Sequence, residues 1–434
     1  MARTGIVDKR ADPPSTPCPT TTTANRGVCR PADGTRAALM PRRSRQRNRS
    51  SCQDRPRGSL PCPRDGTWTD PLNARGFEQV VESRAEPPRP THPVPAALER
   101  FLGTADLPTP FLVLDRNVVA DRYAALAAAF PDATVHYAVK ACPEPAVLDT
   151  LRALGSSFDV ASPAEVRLAL DAGADPSTLC YGNPIRSPAD VATACSAGVR
   201  RYVTDSAEDL EVLAMHAPGA RVLVRLLVPD AGSATPFAAK FGAAPDEAVR
   251  LLRAAELKGL HADGVAFHVG SQQARPRAFA SAVGDALGVA ARAGLRRPVL
   301  DVGGGFPVAY RTPVPGPEAF AAAISSAVDD AVRAGLVDAA GLLLEPGRAL
   351  VAEAGVLRAS VVRVSRRPGI DHRRWVYLDV GRYSGLAETE GESIGYVLRV
   401  PGRDGPCGPV VLAGPTCDGD DVLYRRTPCL LPLT

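Results

Sequence analysis

Long apolar runs are missing from this 434-residue chain. No 18 consecutive residues are apolar, so a membrane-spanning helix is not expected. A basic-then-apolar opening segment is missing too, which removes a secretory signal peptide from the expectations. The ten cysteines are too dilute for a disulfide scaffold, and their spacing matches no zinc pattern. We therefore expect no metal site and a cytoplasmic protein. Methionine (three) and tryptophan (two) are scarce while Ala and Arg abound, which reads as coding bias rather than function.

A charge excess of one sign is also lacking in most of the chain. The net charge is +4, but residues 1–70 hold 14 Arg or Lys against 6 Asp or Glu, leaving 37 against 41 in the rest. A mildly acidic body argues against nucleic acid as a partner of the folded part. Residues 1–96 are rich in Pro, Arg, Thr and Ser without sustained periodicity, with PRRSRQRNRS (41–50) as the most basic part. This composition predicts a disordered leader.

From about residue 108 a rhythm is present. Apolar strands end in HYAVKA, FDVAS, LCYGNP, RYVTDS, RVLVRLL, VAFHVGS, VLDVGGG and LLLEPGR, eight ends by residue 348. Between the early ones lie PAVLDTLRALG, PAEVRLALDAG, SPADVATACSAG and SAEDLEVLAMH, with apolar residues three and four apart and Pro, Ser or Asp near each start. Eight strand–helix units predict a (β/α)8 barrel over 108–350. A doubly wound sheet is the competitor, but it would concentrate its glycines after the first strand. Beyond about 350, VVRVSRR, RWVYLDV, SIGYVLRV and GPVVLAG predict a β-rich domain over 351–434. A segment near 97–114, ending in PTPFLVLD, either joins that domain or leads into the barrel.

Polar residues at nearly every strand end point to chemistry on one barrel face. Lys140 ends the first strand. A buried unpaired ammonium is costly, so we expect a lowered pKa or covalent use as a Schiff base; an ion-paired lysine is the plainer alternative. His268, in FHVGS, suits stacking on a flat ring or moving a proton, or a purely structural hydrogen bond. Ser271 follows as an oxyanion partner. Gly303, Gly304 and Gly305 offer successive N–H groups as an anion nest, and Arg348 in EPGR adds a guanidinium fork where barrel phosphate sites commonly lie. Glu345 would keep a pyridine nitrogen protonated. Together these point to pyridoxal phosphate. In GPTCDGDD (414–421), Cys417 is a proton donor and Asp418 a partner for a cationic group, unless the stretch is only a turn.

In this order, YAVKA, FDVAS..E, FHVGS, GGGFP, EPGR and CDG..D resemble the fold-type III pyridoxal-phosphate decarboxylases over about residues 105–425. These include ornithine, lysine/ornithine and diaminopimelate decarboxylases. The resemblance implies an alanine racemase-like barrel plus β domain and a carbon–carbon lyase of polyamine biosynthesis. It implies Lys140 as the Schiff-base lysine, Asp159, Glu165 and Arg225 near the cofactor, and His268 on the ring face. Ser271, the three glycines and Arg348 become the phosphate cradle, and Glu345 the ring-nitrogen partner. Cys417 and Asp418 become the proton donor and the substrate's distal contact, reaching across a homodimer into the partner's barrel. The Asp418-Gly419 form and the stretch 379–396 favour L-ornithine, giving putrescine and CO2. L-lysine or diaminopimelate, or a catalytically impaired relative, are the alternatives. A racemase would need a tyrosine base in place of the CDG motif. Relatives continue past the position of Thr434 through more strands and a Gly-Ala-Tyr motif whose tyrosine binds phosphate. A shortened C-terminus, with an open sheet edge beside CLLPL, is therefore expected.

Overall fold

The computed structural model describes residues 94–433 except 238, 239 and 404, so the predicted leader lies almost wholly outside the described residues. Eight parallel strands close a barrel: β2 (Ala133–Ala138), β3 (Ser157–Val160), β4 (Cys180–Tyr181), β5 (Arg201–Thr204), β6 (Arg221–Leu226), β7 (His261–Phe267), β8 (Val299–Asp301) and β9 (Gly341–Leu344). Here β1 (Phe111–Leu114) precedes the barrel. Closure comes from β2 pairing with both β3 and β9. The doubly wound alternative is thereby removed.

Alternation along the strands builds two cores. Tyr137, Phe158, Tyr181 and Tyr202 point outward and are sealed by the helices. Cys180, Val203, Leu223 and Ala266 fill the interior. The helices begin where the sequence places Pro and Ser: Pro163–Asp171 is capped by Ser162, Pro188–Ser196 by a Ser187–Asp190 capping box, and Ala207–His216 by Ser206.

The strand left open between barrel and β domain is settled by pairing. β1 runs antiparallel to β10 (Gly355–Arg358), with Phe111 opposite Arg358. The β domain holds β11 (Val361–Arg367), β12 (Asp371–Leu378), β13 (Cys407–Ala413), β14 (Val422–Tyr424) and β15 (Leu430–Pro432). Two expectations are corrected here. SIGYVLRV forms no strand; its backbone is held by side chains instead, with Tyr396 N–H donating to Tyr424 Oη at 2.8 Å and Arg311 donating to Tyr396 O. CLLPL does not merely lie beside the sheet; its Leu430–Pro432 pairs antiparallel with β13 as β15. Among the described residues no helix is long and apolar enough to cross a membrane.

Candidate active site

Lys140 lies in a one-turn helix, Val139–Ala141, just past β2. Register places Ala138 opposite Asp159 of β3, so the lysine two residues on reaches that carboxylate. Lys140 Nζ stands 2.7 Å from Asp159 Oδ2; the lysine side chain is 61% exposed and the aspartate 1%. The expected lowering of the lysine pKa is wrong. Asp159 first, with help from Glu345 and Glu165, raises it against the pull of burial. The ammonium is charged, paired, and open to the barrel mouth.

Glu165 starts the next helix. Its Oε2 accepts the Ala161 N–H at 2.8 Å, and burial raises its pKa. Arg225 of β6 lies over the rings of Phe237 and Phe241, 5.7 and 4.7 Å from their centroids. Burial lowers its pKa, opposed by Glu345. Past β7, His268 Nδ1 accepts the Gly270 N–H at 3.0 Å. Burial, then Arg225 and Lys140, lower its pKa to about 3, so the imidazole is neutral. Phe237 meets it edge-on at 4.6 Å.

Behind β8 the glycines are required by space as well as by φ. A methyl on Gly303 (φ +67°) would meet Phe267 O at 2.3 Å, and one on Gly305 (φ +91°) Gly270 O at 2.3 Å. On Gly304 it would meet Glu345 O at 2.5 Å. The Gly303 N–H is taken by Asp301 Oδ1 at 2.9 Å; those of Gly304 and Gly305 have no acceptor among the described residues. Beside this nest, Arg348 donates to Ser271 Oγ at 3.3 Å, pairs with Glu388 of the β domain, and bonds the Tyr310 hydroxyl.

The floor of the mouth is acidic. Glu345 is half-buried after β9, but its Oε1 is shut from solvent and has no donor. Burial, Asp159 and Asp301 drive its pKa well upward. Asp301 is pushed to about 7, chiefly by burial. A side chain on Gly182 would strike Asp159 Oδ1 at 2.2 Å and Glu345 Oε1 at 3.2 Å, so this glycine leaves room for both carboxylates. A glycine-walled anion nest, a guanidinium, an open lysine and a buried carboxyl with a free oxygen fit pyridoxal phosphate: an anion at one end and a basic ring nitrogen at the other.

Cys417 and Asp418 are not brought to this mouth within the chain. Both are exposed in the loop between β13 and β14. Among the described residues, no hydrogen bond or ion pair joins them to Lys140, His268 or the glycines. Sequence reading missed the residue that shapes their loop. Asp421, 2% exposed, accepts from Arg382 N at 2.9 Å, Thr416 N at 3.1 Å and Thr416 Oγ1 at 2.7 Å. It also missed Asp301, although an acid two residues before the first of three glycines was a visible signal. Phe237 and Glu388 carried no signal in the sequence.

Residues 116–352 match the family described as pyridoxal-dependent decarboxylase, pyridoxal binding domain. The lysine/ornithine decarboxylase of Selenomonas ruminantium is 36% identical over 322 residues, 74% of this chain and 80% of that protein. A crystal structure of lysine/ornithine decarboxylase complexed with cadaverine from Vibrio vulnificus superposes with a TM-score of 0.67 at 33% identity, covering 77% of this chain and 88% of that one. The Paramecium bursaria Chlorella virus arginine decarboxylase bound to agmatine gives a TM-score of 0.67 at 26% identity, covering 78% and 90%.

Proposed function

We propose L-ornithine as the substrate of this chain, which belongs to the fold-type III pyridoxal-phosphate-dependent decarboxylases. It is a pyridoxal-phosphate-dependent decarboxylase of a basic amino acid. The observation that carries the reading is the half-buried Glu345, whose Oε1 has no partner, on the strand next to that of an open lysine and beside a glycine nest.

Bound pyridoxal phosphate supplies an electron sink for the bonding pair left behind when CO2 departs. The chain's residues do the rest. Gly304 and Gly305 N–H groups, Ser271 and Arg348 would hold the phosphate. Glu345 would accept from the ring nitrogen. Neutral His268, backed by Phe237, would pack against the cofactor. Asp159 holds the Lys140 ammonium at the mouth, where that lysine would meet the cofactor. Glu165 and Arg225 fix the surrounding wall.

Cys417 and Asp418 act from a partner copy in a homodimer with two shared sites. Their exposure, and the lack among the described residues of a hydrogen bond or ion pair to their own barrel mouth, support this reading. Cys417 delivers a proton to the substrate α-carbon, and Asp418 takes the distal ammonium. Arg382, the arginine at this loop, is committed to Asp420 O at 2.7 Å and to Glu390, so it offers little to a second substrate carboxylate. That favours a substrate whose far end is a plain ammonium. Both the lysine/ornithine relative and the ornithine decarboxylase of Nicotiana glauca, 38% identical over 202 residues, are consistent with it.

The test is CO2 release from ornithine, lysine, arginine and diaminopimelate. We expect the highest kcat/KM on ornithine and none in Lys140→Ala, which also loses the visible absorbance change on adding pyridoxal phosphate. Lysine preferred over ornithine would overturn the substrate; no release from any of the four would leave a racemase or a binding role. Mixing inactive Lys140→Ala with inactive Cys417→Ala restores activity if sites are shared, and does not if each chain acts alone.

A further inference from the structure

Three acidic groups, Asp159, Asp301 and Glu345, converge in the barrel interior, where among the described residues Lys140 alone forms an ion pair with any of them. Lys140 pairs with Asp159, not with Asp301 or Glu345. Asp301 and Glu345 each have a carboxylate oxygen inside a cluster with Cys180 Sγ whose members lie within 4.8 Å of one another. No N–H or hydroxyl of another residue reaches Asp301 Oδ2 or Glu345 Oε1. The two carboxyls thus face each other at short range with no donor between them. Two carboxylates this close, with burial on every side, do not both ionise, and one proton between them is the stable arrangement. Asp159 of β3 adds repulsion, while Arg201 of β5 relieves some of it at Asp301.

Asp301 has a second tie. Its Oδ1 accepts the Gly303 N–H at 2.9 Å, and Gly303 O in turn accepts the Glu345 N–H at 2.9 Å. The ring of contacts therefore runs from the Asp301 carboxyl to the first nest glycine, to the Glu345 backbone, and back through the Glu345 carboxyl. An anion nest and the ring-nitrogen partner sit on different strand ends, β8 and β9. Their spacing must match the rigid length of one cofactor.

We propose that Asp301 is a positioning residue that sets this spacing, holding Gly303 with one oxygen and Glu345 through a shared proton with the other. It touches neither cofactor nor substrate. The inference rests on the reading of Glu345 as the ring-nitrogen partner. Asp301→Asn keeps both ties, because its amide oxygen accepts from Gly303 and its NH2 donates to Glu345. Asp301→Ala keeps neither. A hydrogen bond to a charged group contributes about 1.5–3 kcal/mol, so losing the tie is worth about tenfold or more in affinity.

The experiment measures pyridoxal phosphate dissociation constants, by absorbance titration of the cofactor-free protein, for wild type, Asp301→Asn, Asp301→Ala, Glu345→Ala and Asp301→Ala/Glu345→Ala. We expect Asp301→Asn within about threefold of wild type and Asp301→Ala weaker by at least about tenfold. The alanine effect at Asp301 should shrink by half or more in the Glu345→Ala background, which offers it no partner, since coupled residues are not additive. Three results would overturn the proposal: Asp301→Ala binding like wild type, Asp301→Asn as weak as Asp301→Ala, or an Asp301→Ala effect undiminished by Glu345→Ala. If Glu345→Ala alone binds like wild type, the role given to Glu345 fails and this inference falls with it. Because Asn is isosteric with Asp, its retained binding also separates positioning from mere loss of fold.

Discussion

Gly305→Ala tests whether the glycine nest is dictated by space, and not only by flexibility. At φ +91° an L side chain is in the left-handed region, which costs about 1–2 kcal/mol. The added Cβ would also fall 2.3 Å from Gly270 O and 3.2 Å from His268 Cε1. The first neighbour is backbone and cannot swing aside. Overpacking of this kind costs about 1–3 kcal/mol, so the two terms together give about 2–5 kcal/mol. The strain has a defined path. Gly270 donates its N–H to His268 Nδ1, so pushing Gly270 away disturbs the imidazole on the ring face. Gly335→Ala is the control: φ is +70°, but the new Cβ meets nothing within 4 Å. It should cost only the conformational term, about 1–2 kcal/mol. Urea unfolding of the cofactor-free proteins measures both, and titration with pyridoxal phosphate measures the site. We expect Gly305→Ala to be the less stable of the two and to bind at least about tenfold more weakly than wild type, while Gly335→Ala binds normally. Equal stability and equal binding for the two variants would refute the steric account.

Other outcomes follow from buried groups. Asp421→Ala strips the acceptor from three donors of the loop that carries Cys417, so unfolding stability should fall by about 2–4 kcal/mol. CO2 release should drop while pyridoxal phosphate still binds, and unchanged turnover would show that Asp421 does not shape the loop. Burial, then Arg201, lower the His136 pKa to about 4. Between pH 6.5 and that value the unfolded chain binds the proton and the folded one does not. The stabilisation is therefore full above about pH 6.5 and lost on acidification, by about 2 kcal/mol at pH 5. His136→Gln should lose that much less than wild type between pH 7 and pH 5 in urea titrations; parallel losses would contradict the assignment.

Much of this site is local information. Strand and helix alternate in periods that near neighbours impose, and Pro or Ser marks each helix start. The strand-end motifs are contiguous, so Lys140, His268, Gly303 to Gly305, Glu345 and Arg348 could be singled out and placed at one barrel face from their order alone. The β domain was less legible. Its strands are short, so an extended stretch such as SIGYVLRV looks like a strand until Tyr424 and Arg311 claim its backbone, and CLLPL looks like a loose tail until β13 pairs with it. A turn motif around Cys417 says nothing of Asp421, whose importance lies in donors from another loop.

The sequence by itself determined the (β/α)8 order, the residues at the strand ends and the class of cofactor they suit, because each depends on spacing within a few residues. The tertiary structure alone decided how those residues are charged. A lowered pKa was one expectation for Lys140 and an ion pair the plainer one; the structure holds the proton more tightly, since the register of β2 on β3 delivers Asp159 to it. Asp301 and Glu345 are both pushed toward their protonated forms because barrel closure sets β8 beside β9 and brings burial and neighbouring acids to them. A pKa follows from solvation and from charges gathered across the whole fold, and no stretch of sequence carries either.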